Sequence, residues 1–199
     1  PNTQKLGAAV CGPIFNGEHI VTDLMKKVVA VIQETAAEIV LPRFKALTTE
    51  QIKEKSGPGD LVTIADIEAE DKLSRAFKHL VIGSEVVGEE VTSKKPDTIH
   101  LLSSAPLVWV IDPIDGTKEY ISGKNEYTLN AALVVDKKPI IGLVGVPKKK
   151  QLFYSYAIGQ SFIRQNGGDK KIDCKKKNNR NNIIAVSSMS KPPELIMKI

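Results

Sequence analysis

The sequence predicts a layered α+β fold, with helices in the first part of the chain and a largely antiparallel sheet in the rest. Two observations indicate this class. Apolar residues recur at about 3.6-residue spacing in two early segments, which is typical of amphipathic helices. Later in the chain, short apolar runs alternate with connections rich in Gly, Pro, Asp and Lys, which is typical of hairpins. The 199 residues are 42% hydrophobic and 26% charged, so the chain can bury an ordinary globular core.

The first half of the chain contains the predicted helices. One helix covers residues 18–40, and Pro42 lies just past its end. A short polar helix is expected over residues 48–55, because the breaker sequence Ser-Gly-Pro-Gly follows it. A β-branched run at 61–64 then precedes a second long helix over residues 66–80.

The second half contains most of the predicted strands. A continuous apolar run at 107–111 is typical of a fully buried strand. The Lys- and Asn-rich stretch 169–182 is expected to be an exposed loop. The other expected strands are short and lie at 81–82, 85–87, 127–135, 140–146, 152–156, 161–164 and 183–186.

Composition and charge narrow the class of protein. No apolar stretch approaches the roughly 20 residues that a membrane span requires, and the first ten residues do not resemble a signal peptide. Cys11 and Cys174 are the only cysteines, too few for a metal cage, which favours a reducing, cytoplasmic location. The formal charge of +5 conceals a segregation. Residues 60–119 carry 12 acidic and 6 basic side chains, whereas residues 137–180 carry 2 acidic and 12 basic ones.

The most informative segment is the Asp-Pro-Ile-Asp-Gly-Thr run at residues 112–117. The buried strand is expected to end at Asp112, because Pro113 cannot continue an ordinary hydrogen-bonded ladder. The Asp-Gly-Thr that follows is typical of a turn into a short helix. This geometry would bring Asp112 and Asp115 together at the carboxyl end of the strand. The alternative interpretation is a strand end followed by an ordinary Asp-Gly turn.

The chemistry of this segment suits a cation and an anion. Asp112 and Asp115 would repel each other unless a positive charge lay between them. Mg²⁺ prefers oxygen ligands of this kind, together with backbone carbonyls such as that of Ile114. The N–H groups of Gly116 and Thr117, at the start of a helix, would face an anion such as phosphate.

Two further acidic motifs precede this segment. Asp66 follows a Leu-Val-Thr-Ile-Ala run, and Gly88-Glu89-Glu90 follows the predicted strand at 85–87. Taken singly, Asp66 is more simply explained as a helix N-cap, and the glutamates as part of a solvated loop. Three acidic clusters, each at the end of a buried element, are more specific together than any one of them alone.

In this order and spacing, the three motifs resemble those of the Mg²⁺-dependent, lithium-sensitive phosphatases of the inositol monophosphatase superfamily. The resemblance runs from about residue 18 to the end of the chain. Lys118-Glu119-Tyr120, directly after the Gly-Thr pair, is similar to the 3′(2′),5′-bisphosphate nucleotidase branch (CysQ type), as is segment 125–133. Inositol monophosphatases usually have Thr-Asn in place of Lys118-Glu119.

The resemblance implies a fold and a metal centre. The fold would be the layered αβαβα arrangement of the sugar phosphatases. Glu89, Asp112 and the carbonyl of Ile114 would hold one Mg²⁺. Asp112 and Asp115 would hold a second, with two or three ions in all.

The resemblance also implies catalytic roles and a reaction. Asp66 and Thr117 would orient a metal-activated water that attacks phosphorus, and Gly116, Thr117 and Lys118 would bind the substrate phosphate. The implied reaction removes the 3′-phosphate of adenosine 3′,5′-bisphosphate, a by-product of sulfur metabolism, and yields AMP. An inositol monophosphatase-type activity is the alternative.

The last part of the chain departs from the family pattern. No Trp-Asp-x-Ala-Ala-Gly block is present, and Ser187-Ser188-Met189-Ser190 stands where the nucleotidase branch usually has Ser-Arg/Lys-Ser-His. We therefore expect an N-terminal metal-binding phosphatase domain over 1–182 and only the start of a C-terminal α/β subdomain at 183–199. The chain is then either part of a longer protein or a truncated one. A truncated or inactive relative that only binds a phosphorylated ligand is a further alternative.

The lysine-rich region 137–180 could attract a polyanion. Because aromatic residues do not interleave its lysines, an exposed loop and lysine-protected hairpin edges explain the region better than nucleic-acid binding. The expected partner is a small phosphorylated molecule such as an adenosine bisphosphate. No nucleic acid and no membrane span are expected, and homodimer formation stays open.

Overall fold

The computed structural model describes residues 18–55, 57–156 and 160–173. In this part of the chain, no helix is long and apolar enough to cross a membrane. The predicted strand at 183–186 and the predicted subdomain at 183–199 lie outside the described residues.

Two long helices form one layer of the fold. Helix α1, Glu18–Thr35, continues through a π-helical turn, Ala36–Val40, into the one-turn helix α2, Leu41–Arg43. Helix α3 spans Ile64–Leu80. The predictions of two amphipathic helices are confirmed, and α3 begins two residues earlier than predicted.

A small hairpin and a seven-stranded main sheet complete the fold. The hairpin pairs β1, Ile52–Glu54, with β2, Leu61–Thr63, in antiparallel fashion. In the main sheet, β3 and β4 are parallel and every other neighbouring pair is antiparallel. The predicted class, α+β with a largely antiparallel sheet, is therefore confirmed. The main-sheet strands, in spatial and chain order, are Glu85–Gly88 (β3), Leu107–Asp115 (β4), Thr128–Val135 (β5), Lys138–Val146 (β6), Gln151–Ser155 (β7), Ser161–Gln165 (β8) and Gly168–Lys171 (β9).

The core lies between the long helices and the main sheet. Phe77 of α3 stacks on Trp109 of β4 with ring centroids 4.3 Å apart, and both side chains are fully buried. Such a pair stabilises a fold by about 0.5–1.5 kcal/mol beyond the burial of its area. Alternate residues of β5, from Leu129 to Val135, point into the same core. This packing fixes the position at which β4 leaves the core.

Short helices follow the strands directly. Helix α4, Glu89–Lys94, begins where β3 ends. Helix α5, Leu101–Ser104, precedes β4, and helix α6, Thr117–Ile121, begins two residues after it. Together with α3, which begins where β2 ends, α4 and α6 place three strand-to-helix junctions in the fold.

Two local predictions were wrong because the backbone makes hydrogen bonds that the local sequence does not reveal, between strands in one case and within a turn in the other. Residues 48–55 form a 3-10 turn, Thr49–Gln51, and then strand β1, because β1 pairs with β2. Residues 81–82 form a turn after α3 rather than a strand, and Ile82 is 84% exposed.

Two boundaries also differ from the predictions. Strand β4 continues past Asp112 to Asp115, because the strand accommodates Pro113 through a shift in register. The predicted loop at 169–182 contributes residues 169–171 to β9, which pairs with β8. The part of that stretch beyond residue 173 lies outside the described residues.

Candidate metal centre

The three strand-to-helix junctions bring the acidic motifs into one region. Asp66 lies in the first turn of α3, Glu89 in the first turn of α4, and Asp112 and Asp115 at the end of β4. Strands β3 and β4 are parallel, so their carboxyl ends meet at the same edge of the sheet. The start of α6 contacts β2, which places the Asp66 junction beside that edge.

A bulge at Pro113 sets the spacing of the two aspartates on β4. Asp112 is paired with Asn130 and Asp115 with Thr128, so three steps along β4 oppose two steps along β5. One extra residue of this kind bends a strand and redirects its side chains. The Asn130 amide donates to Oδ2 of Asp115 over 3.3 Å.

Gly116 and Thr117 connect this strand to α6. Gly116 has φ +96°, and a Cβ at this position would lie 2.7 Å from the backbone oxygen of Glu126, so the turn requires glycine. The Thr117 hydroxyl lies 3.0 Å from the carbonyl oxygen of Ile114 and 3.3 Å from Oδ1 of Asp66. Thr117 therefore links the end of β4 to the start of α3.

Asp66 is a fully buried carboxylate in the third position of α3. The N-cap is Thr63, which makes a capping box with Asp66, so the interpretation of Asp66 as the N-cap was wrong. The Thr63 N–H and hydroxyl donate to Oδ2 at 2.9 and 2.5 Å. Burial raises the pKa of Asp66, and the hydrogen bonds from Thr63 and Thr117 oppose this shift. The other oxygen, Oδ1, faces Thr117.

Asp112 lies in the most unfavourable electrostatic environment of the cluster. Its Oδ1 atom is buried and has no hydrogen-bond partner among the described residues. Burial raises the pKa of Asp112 to about 8, and the negative charges of Glu89, Asp115 and Asp66 contribute to this shift. A cation at this place would relieve both the repulsion and the missing contact.

Lys55 supplies a positive charge next to the cluster. Its Nζ lies 2.6 Å from Oε1 of Glu89 and 2.9 Å from Oε1 of Glu90, and its side chain is only 7% exposed. Burial lowers the pKa of Lys55, but the two glutamates raise it more, so the net shift is upward. Burial also raises the pKa of Glu90, to about 7, against the effect of Lys55.

These residues fit a divalent cation. Carboxylates and a backbone carbonyl are the ligands that Mg²⁺ prefers, and Oδ1 of Asp112 is a buried acceptor to which none of the described residues donates a hydrogen bond. In the arrangement described, Glu89 is engaged by Lys55, and no three His, Cys, Asp or Glu side chains of the described ranges converge on one point. A divalent ion bound here would compete with Lys55 for Glu89.

A groove of about 920 Å³ opens beside the acidic cluster. Lys118 is not among the residues that line it; an added Cβ at Gly59 would lie 3.4 Å from the Nζ of Lys118, so this ammonium group faces the β1–β2 turn. The predicted role of Lys118 in phosphate binding stays a prediction. The residues that line the groove include Asp115, Gly116, Glu119, Lys124, Glu126 and Lys149.

Lys55 and Asn130 lie at the site although their sequence motifs did not predict it. Asn130 could have been found from the antiparallel pairing of the two strands, which places it opposite Asp112. Lys55 directly follows β1, and its backbone N–H donates to the carbonyl oxygen of Asp60, the residue before β2, at 2.8 Å. This hydrogen bond closes the turn between the two strands. The turn itself gives no signal for the site, because the side-chain partners of Lys55 are Glu89 and Glu90, much further along the chain.

Comparison with known proteins places this fold among the layered α/β phosphatase folds. The inositol monophosphatase family profile matches residues 22–197, and the chain belongs to this family. The CysQ protein of Bacteroides thetaiotaomicron, described as a bacterial member of this family, has a solved structure with a TM-score of 0.64 and 23% identity. That match covers 91% of this chain and 68% of the other.

Curated relatives lie in both predicted branches. The 3′(2′),5′-bisphosphate nucleotidase CysQ of Salmonella typhimurium is 32% identical over 114 residues, which is 57% of this chain and 44% of the relative. The inositol-1-monophosphatase of Bacillus subtilis is 30% identical over 134 residues, which is 67% of this chain and 48% of the relative. The matched stretch therefore spans less than half of each of these relatives.

Proposed function

We propose that the protein is a Mg²⁺-dependent phosphatase of the cytoplasm that removes the 3′-phosphate of adenosine 3′,5′-bisphosphate, yielding AMP and phosphate. The observation that carries the proposal is the acidic cluster at the end of β4, in which a buried oxygen of Asp112 has no hydrogen-bond partner in the described part of the chain. Membership of the inositol monophosphatase family supports phosphate ester hydrolysis. Similarity to a bisphosphate nucleotidase supports the substrate.

The residues of the cluster would have two roles, metal binding and proton transfer. Asp112, Asp115, Glu89 and the carbonyl of Ile114 would hold the metal, which supplies charge that acidifies water and stabilises the transferring phosphoryl group. Oδ1 of Asp66 accepts a hydrogen bond from the Thr117 hydroxyl. As the attacking water gave a proton to the hydroxyl oxygen of Thr117, the hydroxyl would pass its own proton to Asp66, so that Thr117 stays neutral and Asp66 acts as the general base.

The groove supports a substrate with a second anionic group. Lys124 and Lys149 both line it, beside the aspartate cluster. Asp115, Glu119 and Glu126 line the same groove, so Lys124 and Lys149 are the two cationic side chains among its lining residues. In this proposal they would bind the phosphate of a bisphosphate that is not cleaved, which a monophosphate lacks.

Phosphate release tests this proposal. We expect the protein, with Mg²⁺ present, to release phosphate from adenosine 3′,5′-bisphosphate at least tenfold faster than from inositol 1-phosphate, and Li⁺ to inhibit the reaction. Lys149→Met should raise KM for the bisphosphate, whereas Lys170→Met, on the exposed strand β9, should leave KM unchanged. Faster cleavage of inositol 1-phosphate would establish the alternative branch.

A binding-only protein is the second candidate function. The contact of Lys55 with Glu89 favours this candidate, because the ammonium group of Lys55 already pairs with a carboxylate that is predicted to bind the metal. Calorimetric titration with adenosine 3′,5′-bisphosphate and Mg²⁺ separates the two functions. Saturable binding without phosphate release would establish the second candidate.

A further inference from the structure

Glu70 is a buried carboxylate outside the predicted metal ligands. It lies on α3, one turn after Asp66, and is 3% exposed. Its Oε2 accepts the backbone N–H of Glu90 at 2.7 Å, and its Oε1 accepts the N–H of Val91 at 2.9 Å. These N–H groups belong to the first turn of α4, where a helix has no internal acceptor for them.

Gly88 makes this contact sterically feasible. A Cβ at Gly88 would lie 2.3 Å from Cδ of Glu70 and within 2.6 Å of both carboxylate oxygens. The carboxylate therefore lies directly against the backbone of Gly88. Any side chain at this position would push Glu70 away from the amides that it binds.

The Glu70 carboxylate contacts the backbone on both sides of Glu89. Gly88, on one side of it, packs against the Glu70 carboxylate, and the N–H of Glu90, on the other side, donates to that carboxylate. Because Asp66 and Glu70 share helix α3, the same rigid element holds Asp66 and the backbone of Glu89. We infer that Glu70 is a positioning residue, which sets the distance of the Glu89 carboxylate from the rest of the cluster and thereby the metal affinity. The inference rests on the proposed function, since it takes Glu89 to be a metal ligand.

The direct test replaces one carboxylate oxygen. In Glu70→Gln, an amide NH₂ would face a backbone N–H, so one of the two hydrogen bonds is lost. We expect the dissociation constant for Mn²⁺, measured by electron paramagnetic resonance, to rise by about tenfold or more. Excess Mn²⁺ should restore the activity of this variant. Asp71→Asn is the matched control, because Asp71 is an exposed neighbour on the same helix that pairs with Arg75.

A second readout does not depend on metal. In the metal-free protein, the amide hydrogens of Glu90 and Val91 should exchange faster in Glu70→Gln than in the wild type, while those in the middle of α3 should not change. Unchanged exchange at both amides, or an unchanged Mn²⁺ affinity, would overturn the inference.

A double-mutant cycle tests the role of Gly88. Gly88→Ala alone should weaken Mn²⁺ binding about as strongly as Glu70→Gln, because the new Cβ collides with the carboxylate. In a Glu70→Ala background, where the carboxylate is gone, Gly88→Ala should add less than a twofold loss. Equal losses of Mn²⁺ affinity in both backgrounds would contradict the proposal that Gly88 acts by leaving room for the Glu70 carboxylate.

Glu89→Gln distinguishes failure of this inference from failure of the proposed function. If Glu89→Gln weakens Mn²⁺ binding and Glu70→Gln does not, Glu89 is a ligand and the positioning role of Glu70 is wrong. If neither change affects Mn²⁺ binding, the assignment of Glu89 as a ligand, and with it the metal centre as proposed, is wrong.

Discussion

At the scale of single residues, Asp112 shows how a buried carboxylate in an acidic cluster destabilises the folded protein. Its pKa rises from 3.8 to about 8 in the folded chain, mainly through burial, and that of Glu90 rises from 4.5 to about 7. When the pH lies between the ordinary pKa of each group and its raised pKa in the folded protein, the folded state retains a proton that the unfolded state has released. The free energy of unfolding of the metal-free protein therefore falls as the pH rises from about 4 to 8.

Asp112→Asn should remove much of this pH dependence. We expect the variant to be more stable than the wild type at pH 8, by about 1 kcal/mol or more, because an amide carries no charge to bury. Urea unfolding of the metal-free proteins at pH 5 and pH 8 measures the difference. Asn130→Asp would place a further carboxylate opposite Asp112 and should have the opposite effect; a destabilised Asp112→Asn protein at pH 8 would contradict the electrostatic account.

The ammonium group of Lys55 offsets part of the negative charge of the acidic cluster. Replacing Lys55 by Met leaves the buried Glu90 and the half-exposed Glu89 without their cation. We expect the metal-free variant to lose about 2–4 kcal/mol of stability at pH 8, and Mg²⁺ to stabilise it more than it stabilises the wild type. Lys72→Met, which breaks an ion pair with the exposed Glu38, is the control and should cost less than 1 kcal/mol.

The residues of the site differ in how far the sequence predicts them. The acidic motifs could be predicted because each follows a recognisable apolar run, and the end of such a run is visible in the local sequence. Lys55 was missed because its contacts lie 34 and 35 residues away along the chain. Glu70 was missed for the same reason: its partners are backbone amides 20 and 21 residues away, and a backbone amide has no sequence signature.

At the scale of elements, the junctions between strands and helices determine the site. The hydrophobic periodicity predicted α1 and α3, because both helices bury one face. It did not predict β1, since residues 52–54 become a strand only by pairing with β2. The continuation of β4 past Pro113 likewise depends on the bulge opposite β5, which sequence alone does not reveal.

The turn at Gly116 is the most restrictive of these junctions. Gly116→Ala should destabilise the protein by about 2–4 kcal/mol, because the new Cβ meets both a positive φ and the carbonyl of Glu126. Gly83 is the matched control: it also has a positive φ, +83°, but an added Cβ there meets nothing within 4 Å. Gly83→Ala should cost only about 1 kcal/mol. Equal Tm losses for the two variants would show that the Glu126 contact is unimportant.

At the scale of the whole molecule, the acidic and the basic segments of the chain both contribute side chains to the groove. The acidic segment 60–119 contains the carboxylates at the ends of β2, β3 and β4. The basic segment 137–180 contributes Lys149 to the groove beside them, and the Nζ of Lys148 lies 4.7 Å from the centre of the Phe44 ring. The net charge of +5 thus does not describe a single basic surface.

We propose that the carboxylates at the end of β4 form a divalent-metal site. Titration of the protein with Mn²⁺, followed by electron paramagnetic resonance, measures this binding without depending on activity. We expect Mn²⁺ to bind saturably to the wild type and to be displaced by Mg²⁺, and we expect Asp112→Asn to weaken this binding by at least tenfold. Equal affinity of the wild type and Asp112→Asn for Mn²⁺ would contradict this proposal.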